Sequence, residues 1–201
     1  MLILGSKLLK YPVLSLHVGG EIARTDTAVI DPEGLKVVAY TLSGSLLRRE
    51  EVGDILEVAD VRELSPRGMI VDSIDDFVLR EDVIRLDKVM DLGFRLVDLK
   101  VVSRDGKKLG KVSDYTIDSG SFMVYQIIVQ RPAVKAFLDP ELTINRSQIV
   151  EIDDYKIVVK NEDEKVEVEE KVKDFSPNFV NPFREPNYAS KDAESSSDNA
   201  S

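Results

Sequence analysis

The chain has 201 residues, and its 37 acidic residues outnumber its 27 basic residues, for a net charge of -10. It contains no cysteine and one histidine, which excludes disulfides, thiol nucleophiles, thiolate zinc sites and metal sites built on two or more histidines. An acidic balance of this size disfavours broad electrostatic binding to nucleic acid.

The first residues of the chain do not predict a leader or a membrane span. Lys7 and Lys10 interrupt the apolar residues there, and Pro12 follows them. A signal peptide needs an unbroken apolar stretch, and a spanning helix needs about 20 apolar residues. We therefore expect a soluble, cytoplasmic protein with no integral membrane segment.

Short apolar runs bounded by turn residues predict strands in the first half of the chain. The predicted strands are 8–16, 28–30, 35–42, 55–58 and 69–72. Pro32 and Gly34 place a turn at 31–34.

A helix is predicted over 81–91, because acidic residues open this segment and a glycine follows it. Ile84 and Met90, with Val83 or Leu86, would form the face of the helix that packs against a barrel.

The second half predicts strands again, at 99–103, 109–118, 122–129, 142–144 and 156–160. Asp105-Gly106 is a strong turn signal between the first two, because glycine accepts positive φ. Four or five short strands with glycine turns favour a closed barrel, since closure removes free strand edges.

An internal repeat relates the two halves. A shift of 87 residues aligns seven identities in order: Leu9 with Leu96, Gly19 with Gly106, Ile30-Asp31 with Ile117-Asp118, Val37 with Val124, and Ile70-Val71 with Ile157-Val158. At a shift of 88, Val61 and Leu64 meet Ile149 and Ile152. A period this long indicates two copies of a small domain rather than a solenoid.

The second copy resembles a known family. Residues 106–114 read Gly-Lys-Lys-Leu-Gly-Lys-Val-Ser-Asp, which is similar to the G-x-x-L-G-K-V-x-D signature of the PRC-barrel family, and 146–158 resemble that family's closing stretch. The first copy departs from the signature: Ala23 stands where Gly110 does, Arg24 where Lys111 does, and Ser65-Pro66 replaces Asp153-Asp154. The family includes the photosynthetic reaction-centre H subunit and the C-terminal domain of the 16S rRNA processing factor.

The resemblance implies a small β-barrel that binds partners or assists assembly, with no shared catalytic residues. We therefore predict an all-β protein of two tandem PRC-like barrels with a short linking helix and an acidic, largely disordered tail. The predicted domains are 1–76 (the degenerate first repeat), 77–93 (the linker helix), 94–161 (the second repeat) and 162–201 (the tail).

The predicted function is that of a non-enzymatic protein-binding adaptor or assembly factor, with no catalytic residue, cofactor or metal assigned. The alternative is an RNA- or ribosome-associated maturation factor, which would meet nucleic acid only through a ribosomal complex. Lys107, Lys108 and Lys111 would then lie near phosphate; lysines at a barrel rim also serve solubility alone.

Apolar side chains in two long connections and in the tail are the candidate partner contacts. The connections, 43–54 and 131–141, occupy equivalent places in the two copies, and long irregular loops are often functional. The candidates are Leu46, Leu47, Val134, Phe137, Leu138, Phe175, Phe179 and Phe183. The loop residues would otherwise fold back on the barrels or pack the barrels together, and the tail aromatics would otherwise dock on the barrels or form an idle linker.

Two further features have a plain structural interpretation. His17 lies beside Gly19-Gly20 and is expected on the surface, because nothing in the sequence places a nucleophile near it. The acidic residues between 72 and 82 lack the glycine of a calcium-binding loop. We expect them to form a solvated turn and to supply charge at a helix N-terminus.

Overall fold

The computed structural model describes residues 1–45, 47, 53–132 and 140–161. The strands among them are β1 (Leu2–Leu4), β2 (Pro12–Ser15), β3 (Gly20–Asp31), β4 (Lys36–Ser43), β5 (Ile55–Glu57), β6 (Glu63–Ser65), β7 (Gly68–Val71), β8 (Phe77–Val78), β9 (Lys100–Ser103), β10 (Lys108–Asp118), β11 (Val124–Gln130), β12 (Glu141–Asn145), β13 (Ile149–Ile152) and β14 (Lys156–Val159). One α-helix, α1 (Ile84–Asp91), lies between β8 and β9 in this part of the chain. The prediction of an all-β protein is confirmed.

The strands form two sheets with the same internal order. The first sheet runs β6-β7-β2-β3-β4-β5-β8, and the second runs β12-β11-β10-β9-β14-β13 with β1 added beside β10. Read from the same end, β5-β4-β3-β2-β7-β6 matches β12-β11-β10-β9-β14-β13 strand for strand. In each sheet one pair is parallel, β2 with β7 and β9 with β14, and the other neighbours are antiparallel.

Each sheet has a β-bulge, and the two bulges lie at equivalent positions of the repeat. In the first sheet the pairing of β2 with β3 passes over Ile22, and in the second the pairing of β9 with β10 passes over Leu109. These residues are 87 positions apart, and both are buried. A β-bulge bends and twists the strand that carries it, so the bulge sets the same curvature in both halves.

Closure of the sheets into barrels is not confirmed. Among the described residues, the first sheet ends at β6 and β8 and the second at β12 and β13, and no hydrogen-bonded pair joins the two ends of either sheet. The expectation that each half encloses its own interior is also wrong in one respect. One cluster of buried apolar side chains contains residues from both halves, such as Tyr40, Met69, Ile127 and Ile157.

The two halves meet through the turns that follow β3 and β10. The N–H of Val37 donates to the carbonyl of Phe122, and the N–H of Val124 donates to the carbonyl of Leu35, both at 3.0 Å. The two bonds are equivalent under the repeat, because the donors Val37 and Val124 are 87 positions apart and so are the acceptors Leu35 and Phe122. Leu35 and Phe122 also share a positive φ, 42° and 57°, and both are buried, so the contact is symmetric between the repeats.

Each half also receives an element from the other. Strand β1 precedes β2 in the first copy, yet Leu2–Leu4 pairs with residues 116–118 of β10. Helix α1 precedes β9 in the second copy, yet its Leu86 is buried against Val29 and Ile55 of the first sheet. The two leading segments therefore cross between the halves and join them further.

The buried face of α1 differs in part from the predicted one. Leu86 is 2% exposed and Met90 and Val83 pack beside it, as expected, but Ile84 is 73% exposed. Arg80, just before the helix, forms exposed ion pairs with Asp87 at 2.6 Å and with Asp91. The contacts of Leu86 with Val29 and Ile55 define the buried face, and Ile84 lies outside it. No helix of the described residues has the length and apolar character needed to cross a membrane.

The carboxyl group of Asp118, at the end of β10, has a lowered pKa and so makes the stability of the fold depend on pH. The amino group of Met1 lies 3.1 Å from its carboxylate, and the Ser121 hydroxyl and backbone N–H donate to it at 2.9 and 3.0 Å. Donors that favour the charged form lower a pKa, and they hold the pKa of Asp118 at about 2. Because the folded pKa lies below the ordinary value of 3.8, the stability from these bonds is complete above pH 4. It is lost as the pH falls from 4 towards 2.

We expect an NMR titration of the Asp118 carboxyl group to give a midpoint near 2. Ser121→Ala should raise the midpoint, because it removes one donor. A midpoint at the ordinary value in the unsubstituted chain would contradict the geometry of this turn.

Candidate functional site

Two surface pockets lie at equivalent places in the two halves. The first, of about 550 Å³, is lined by residues 21–24 of β3 and by residues 43–45 at the end of β4. The second, of about 440 Å³, is lined in part by Gly110 and Lys111 of β10 and by residues 130–132 at the end of β11. Each pocket therefore lies at the base of one of the two long connections. We call them the first pocket and the second pocket.

Gly110 shapes the second pocket. Its φ is 153°, and a Cβ built on it would lie 2.1 Å from the carbonyl oxygen of Gln130 on the neighbouring strand. Only a residue without a side chain allows β10 and β11 to approach so closely. Because Gly110 has no side chain, it leaves part of the second pocket open on the surface of the sheet.

The first pocket is nearly neutral in charge. The Arg24 guanidinium donates to the Glu21 carboxylate at 2.7 Å and to the carbonyl of Lys10 at 3.0 Å. Arg24 is thus held by a carboxylate and a backbone oxygen of its own half. Ser43, Gly44 and Ser45 complete this wall with small polar groups.

The second pocket is basic with an apolar floor. Lys100, Lys108, Lys111 and Arg131 line it together with Val102 and Pro132. The described residues form no ion pair with Lys100, Lys108 or Lys111. A pocket of this kind suits an anionic group attached to an apolar one.

The strand register aligns three of the cations in a row. Lys156 of β14 lies opposite Lys100 of β9, which lies opposite Lys111 of β10. Neighbouring strands are about 4.8 Å apart, and like charges directly opposite are destabilising. In the first sheet the equivalent positions hold Gly68, Pro12 and Arg24, so the repeat itself does not require this lysine row.

Of the three lysines predicted to contact phosphate, two line the second pocket and one does not. Lys108 and Lys111 line the second pocket. Lys107 is exposed on the β9–β10 turn, where its backbone N–H donates to the Ser103 hydroxyl, and it does not line the pocket. The sequence analysis missed Lys100 and Lys156: Lys100 lies opposite Lys111 through the register of the β9–β10 hairpin, and Lys156 joins them only because β14 pairs in parallel with β9.

Of the predicted partner contacts, only Leu47 lies within the described residues. Its side chain is partly buried and packs against the main apolar cluster, which agrees with the alternative that these loop residues fold back on the body. The others, Leu46, Val134, Phe137, Leu138, Phe175, Phe179 and Phe183, lie outside the described residues.

His17 and the acidic residues between 72 and 82 take part in turns of the backbone. His17 is exposed, and its backbone N–H donates to the carbonyl of Asp72. The carboxylate of Asp76 accepts from the N–H groups of Asp72 and Ser73 at 2.8 and 3.1 Å, so it caps a short 3₁₀ turn. Within the described ranges, no three histidine or carboxylate side chains are grouped as metal ligands would be.

A comparison with protein families finds a match in the second half of the chain. Residues 89–174 match the PRC-barrel domain. The matched range begins near the end of α1, contains the second sheet and the second pocket, and continues beyond Asn161. A comparison with curated proteins finds no match to the chain.

The PRC-barrel match confirms the resemblance drawn from residues 106–114. Two glycines of the signature have a physical role: Gly106 has a φ of 81° in the turn, and Gly110 allows the close approach to Gln130. Leu109 and Val112 are buried, while Lys111 points outward. The first half of the chain lies outside the matched range.

Proposed function

We propose that the chain is a non-enzymatic, cytoplasmic adaptor or assembly factor that binds a protein partner through the two pockets and the long connections that follow β4 and β11. We also propose that 1–76 is a diverged PRC-like repeat. The shared strand order, the matching bulges and the equivalent hydrogen bonds of Val37 with Phe122 and of Val124 with Leu35 support this second point.

The observation that carries the proposal is the equivalent position of the two pockets. Both lie where β3 or β10 begins and β4 or β11 ends. One offers small polar groups and a satisfied ion pair, and the other offers cations around Val102 and Pro132. A partner that contacts both pockets would meet a different chemistry at each, which favours one orientation of binding.

Photo-crosslinking in the native host tests this. A photoreactive amino acid would replace Ser45 at the first pocket or Pro132 at the second, and Lys88 on α1 as the control; all three are exposed. We expect the same protein to crosslink from Ser45 and Pro132 and not from Lys88. If neither pocket position gives an adduct beyond that of Lys88, the adaptor proposal is wrong.

The lysine row favours ribosome association as a second candidate function. Among the described residues, Lys100 and Lys111 form no ion pair and Lys156 forms one, with Asp153 at 3.8 Å; three adjacent cations of this kind suit phosphate oxygens. The same crosslinking distinguishes the candidates, since adducts of Pro132 would then contain RNA. Their yield would fall with rising salt, because phosphate contacts weaken as counterions compete.

A further inference from the structure

The first pocket contains an ion pair whose equivalent in the second pocket is two cations. In the first pocket the Arg24 guanidinium donates to the Glu21 carboxylate at 2.7 Å. The residues 87 positions later are Lys111 and Lys108. The strand register agrees with this equivalence, because Glu21 and Lys108 are each the paired residue immediately before the bulge of their sheet. The second half therefore has a cation where the first half has the carboxylate.

This replacement leaves positive charge unbalanced in the second pocket. Lys108 and Lys111 are exposed and form no ion pair within the part of the chain that the structure describes. Lys100 lies opposite Lys111, and like charges directly opposite each other destabilise a sheet. A carboxylate supplied by another molecule would relieve this repulsion, and it would take the place that Glu21 has in the first pocket.

Carboxylates border the cationic surface on both sides. The lysine row continues from Lys111 to Gln130 of β11 and ends at Glu141 of β12, which is exposed. At its other end Asp153 lies 3.8 Å from Lys156. Neighbouring strands are about 4.8 Å apart, so the row of three lysines spans only about 10 Å. A long polyanion would have to cross the carboxylates, whereas a short acidic segment fits between them.

The apolar part of the second pocket favours a peptide as the ligand. Val102 is half-buried and Pro132 is exposed, and both line the pocket. An exposed ion pair alone contributes little to binding, so a ligand gains from an apolar group placed on these two residues beside its carboxylate. Among the residues that the structure describes, no aromatic side chain lines this pocket, although single-stranded nucleic acid is commonly bound by stacking on aromatic rings.

We propose that the second pocket binds an acidic segment of the protein partner. A glutamate or aspartate carboxylate of that segment lies between Lys108 and Lys111, and an adjacent apolar side chain packs on Val102 and Pro132. This inference rests on the adaptor function proposed above and adds the chemistry of the partner. The first pocket already holds the carboxylate of Glu21, so it does not compete for the acidic segment, and the partner binds in one orientation.

Fluorescence anisotropy with the full-length chain measures this preference. The probes are the labelled peptide Gly-Ser-Glu-Leu-Glu-Leu-Ser-Gly, the same peptide with glutamine in place of glutamate, and a short oligouridylate. We expect the acidic peptide to bind at least about tenfold more tightly than the glutamine peptide, because charge-assisted hydrogen bonds are stronger than neutral ones. Equal affinities for the two peptides would overturn the proposal. Tighter binding of the oligouridylate would also overturn it and would make RNA the ligand.

Lys108→Glu tests whether a carboxylate of the chain itself can fill the site. Because this variant copies Glu21, we expect its carboxylate to pair with Lys111 and to weaken binding of the acidic peptide by at least about tenfold. Lys88→Glu on α1 is the matched control, since it changes the net charge equally at an exposed position outside the pocket. It should leave the affinity within about twofold.

Lys111→Gln is a second variant, which removes a cation without adding a carboxylate. It should also weaken binding of the acidic peptide, and it keeps the test decisive if Lys108→Glu lowers the thermal midpoint of the chain. If Lys108→Glu and Lys111→Gln bind the acidic peptide as tightly as Lys88→Glu does, the proposal is wrong.

Photo-crosslinking from Pro132 separates this inference from the adaptor proposal. Digestion and mass spectrometry of the adduct identify the partner segment that contacts the second pocket. We expect a segment with aspartate or glutamate beside an apolar residue, and a lower yield of this adduct in Lys108→Glu. A segment without acidic residues would overturn this inference and leave the adaptor proposal intact, whereas the absence of adducts from both pockets would overturn the adaptor proposal itself.

Discussion

Gly110→Ala is expected to lower the free energy of unfolding by about 3–5 kcal/mol, which combines a strained backbone with an overpacked contact. The new Cβ would lie 2.1 Å from the oxygen and 2.9 Å from the carbonyl carbon of Gln130. Both are backbone atoms held by the pairing of Lys111 with Gln130, so neither can move away without breaking the β10–β11 ladder. Chemical denaturation followed by circular dichroism measures the loss.

Two matched substitutions separate the contact from the backbone conformation. Gly106→Ala also places a side chain at positive φ, 81°, but its Cβ meets no atom within 4 Å, and we expect a loss of about 1–2 kcal/mol. Ala23→Gly changes the equivalent position of the first half and should cost about 0.5–1 kcal/mol. If Gly110→Ala lowers the free energy of unfolding no more than Gly106→Ala does, the close approach of β10 and β11 does not require a glycine at position 110.

The sequence predicted most of the strands because their signal is local. Apolar residues alternate in β10 and β11, and glycine turns separate them, so the pattern of burial could be anticipated from the residues alone. The repeat offset was equally visible, since it depends on identities along the chain. The shared strand order and bulges follow from it.

What the sequence did not predict depends on distant pairing. Strand β1 has three residues and pairs with Asp118 and its neighbours, and nothing near Leu2–Leu4 indicates that partner. Lys156 lacks any local motif, and it joins Lys100 and Lys111 only through the parallel register of β9 with β14. The exposed face of α1 depends in the same way on Val29 and Ile55, to which the helix returns.

The predicted closure into barrels is not confirmed, for a related reason. Free edges can be managed by covering strands as well as by closing a barrel, and β8 covers β5 in the first half. The sequence showed short strands but not which edges a neighbouring segment would occupy. The same reasoning assigned each half its own core, whereas the turns around Leu35 and Phe122 join the two interiors.

Because the turns around Leu35 and Phe122 connect the two halves, we expect a substitution there to destabilise both sheets. Phe122→Ala should lower the free energy of unfolding by about 3–5 kcal/mol, the usual cost of truncating a buried phenylalanine, since Phe122 is 5% exposed and lies in the shared cluster. Because the bonds to Val37 and Leu35 also pass through this turn, the loss should reach both halves. The two sheets should therefore unfold in one transition rather than in two.

Hydrogen exchange resolved by segment measures this, because it reports the opening of each sheet separately. We expect Phe122→Ala to lower the protection of β3 and β4 as much as that of β10 and β11. Tyr125→Ala is the matched control: Tyr125 lies in β11 but is 48% exposed, and its loss should cost below about 1 kcal/mol. If Phe122→Ala lowers protection in the second sheet alone, the halves are independent domains and the contact at Leu35 and Phe122 does not couple them.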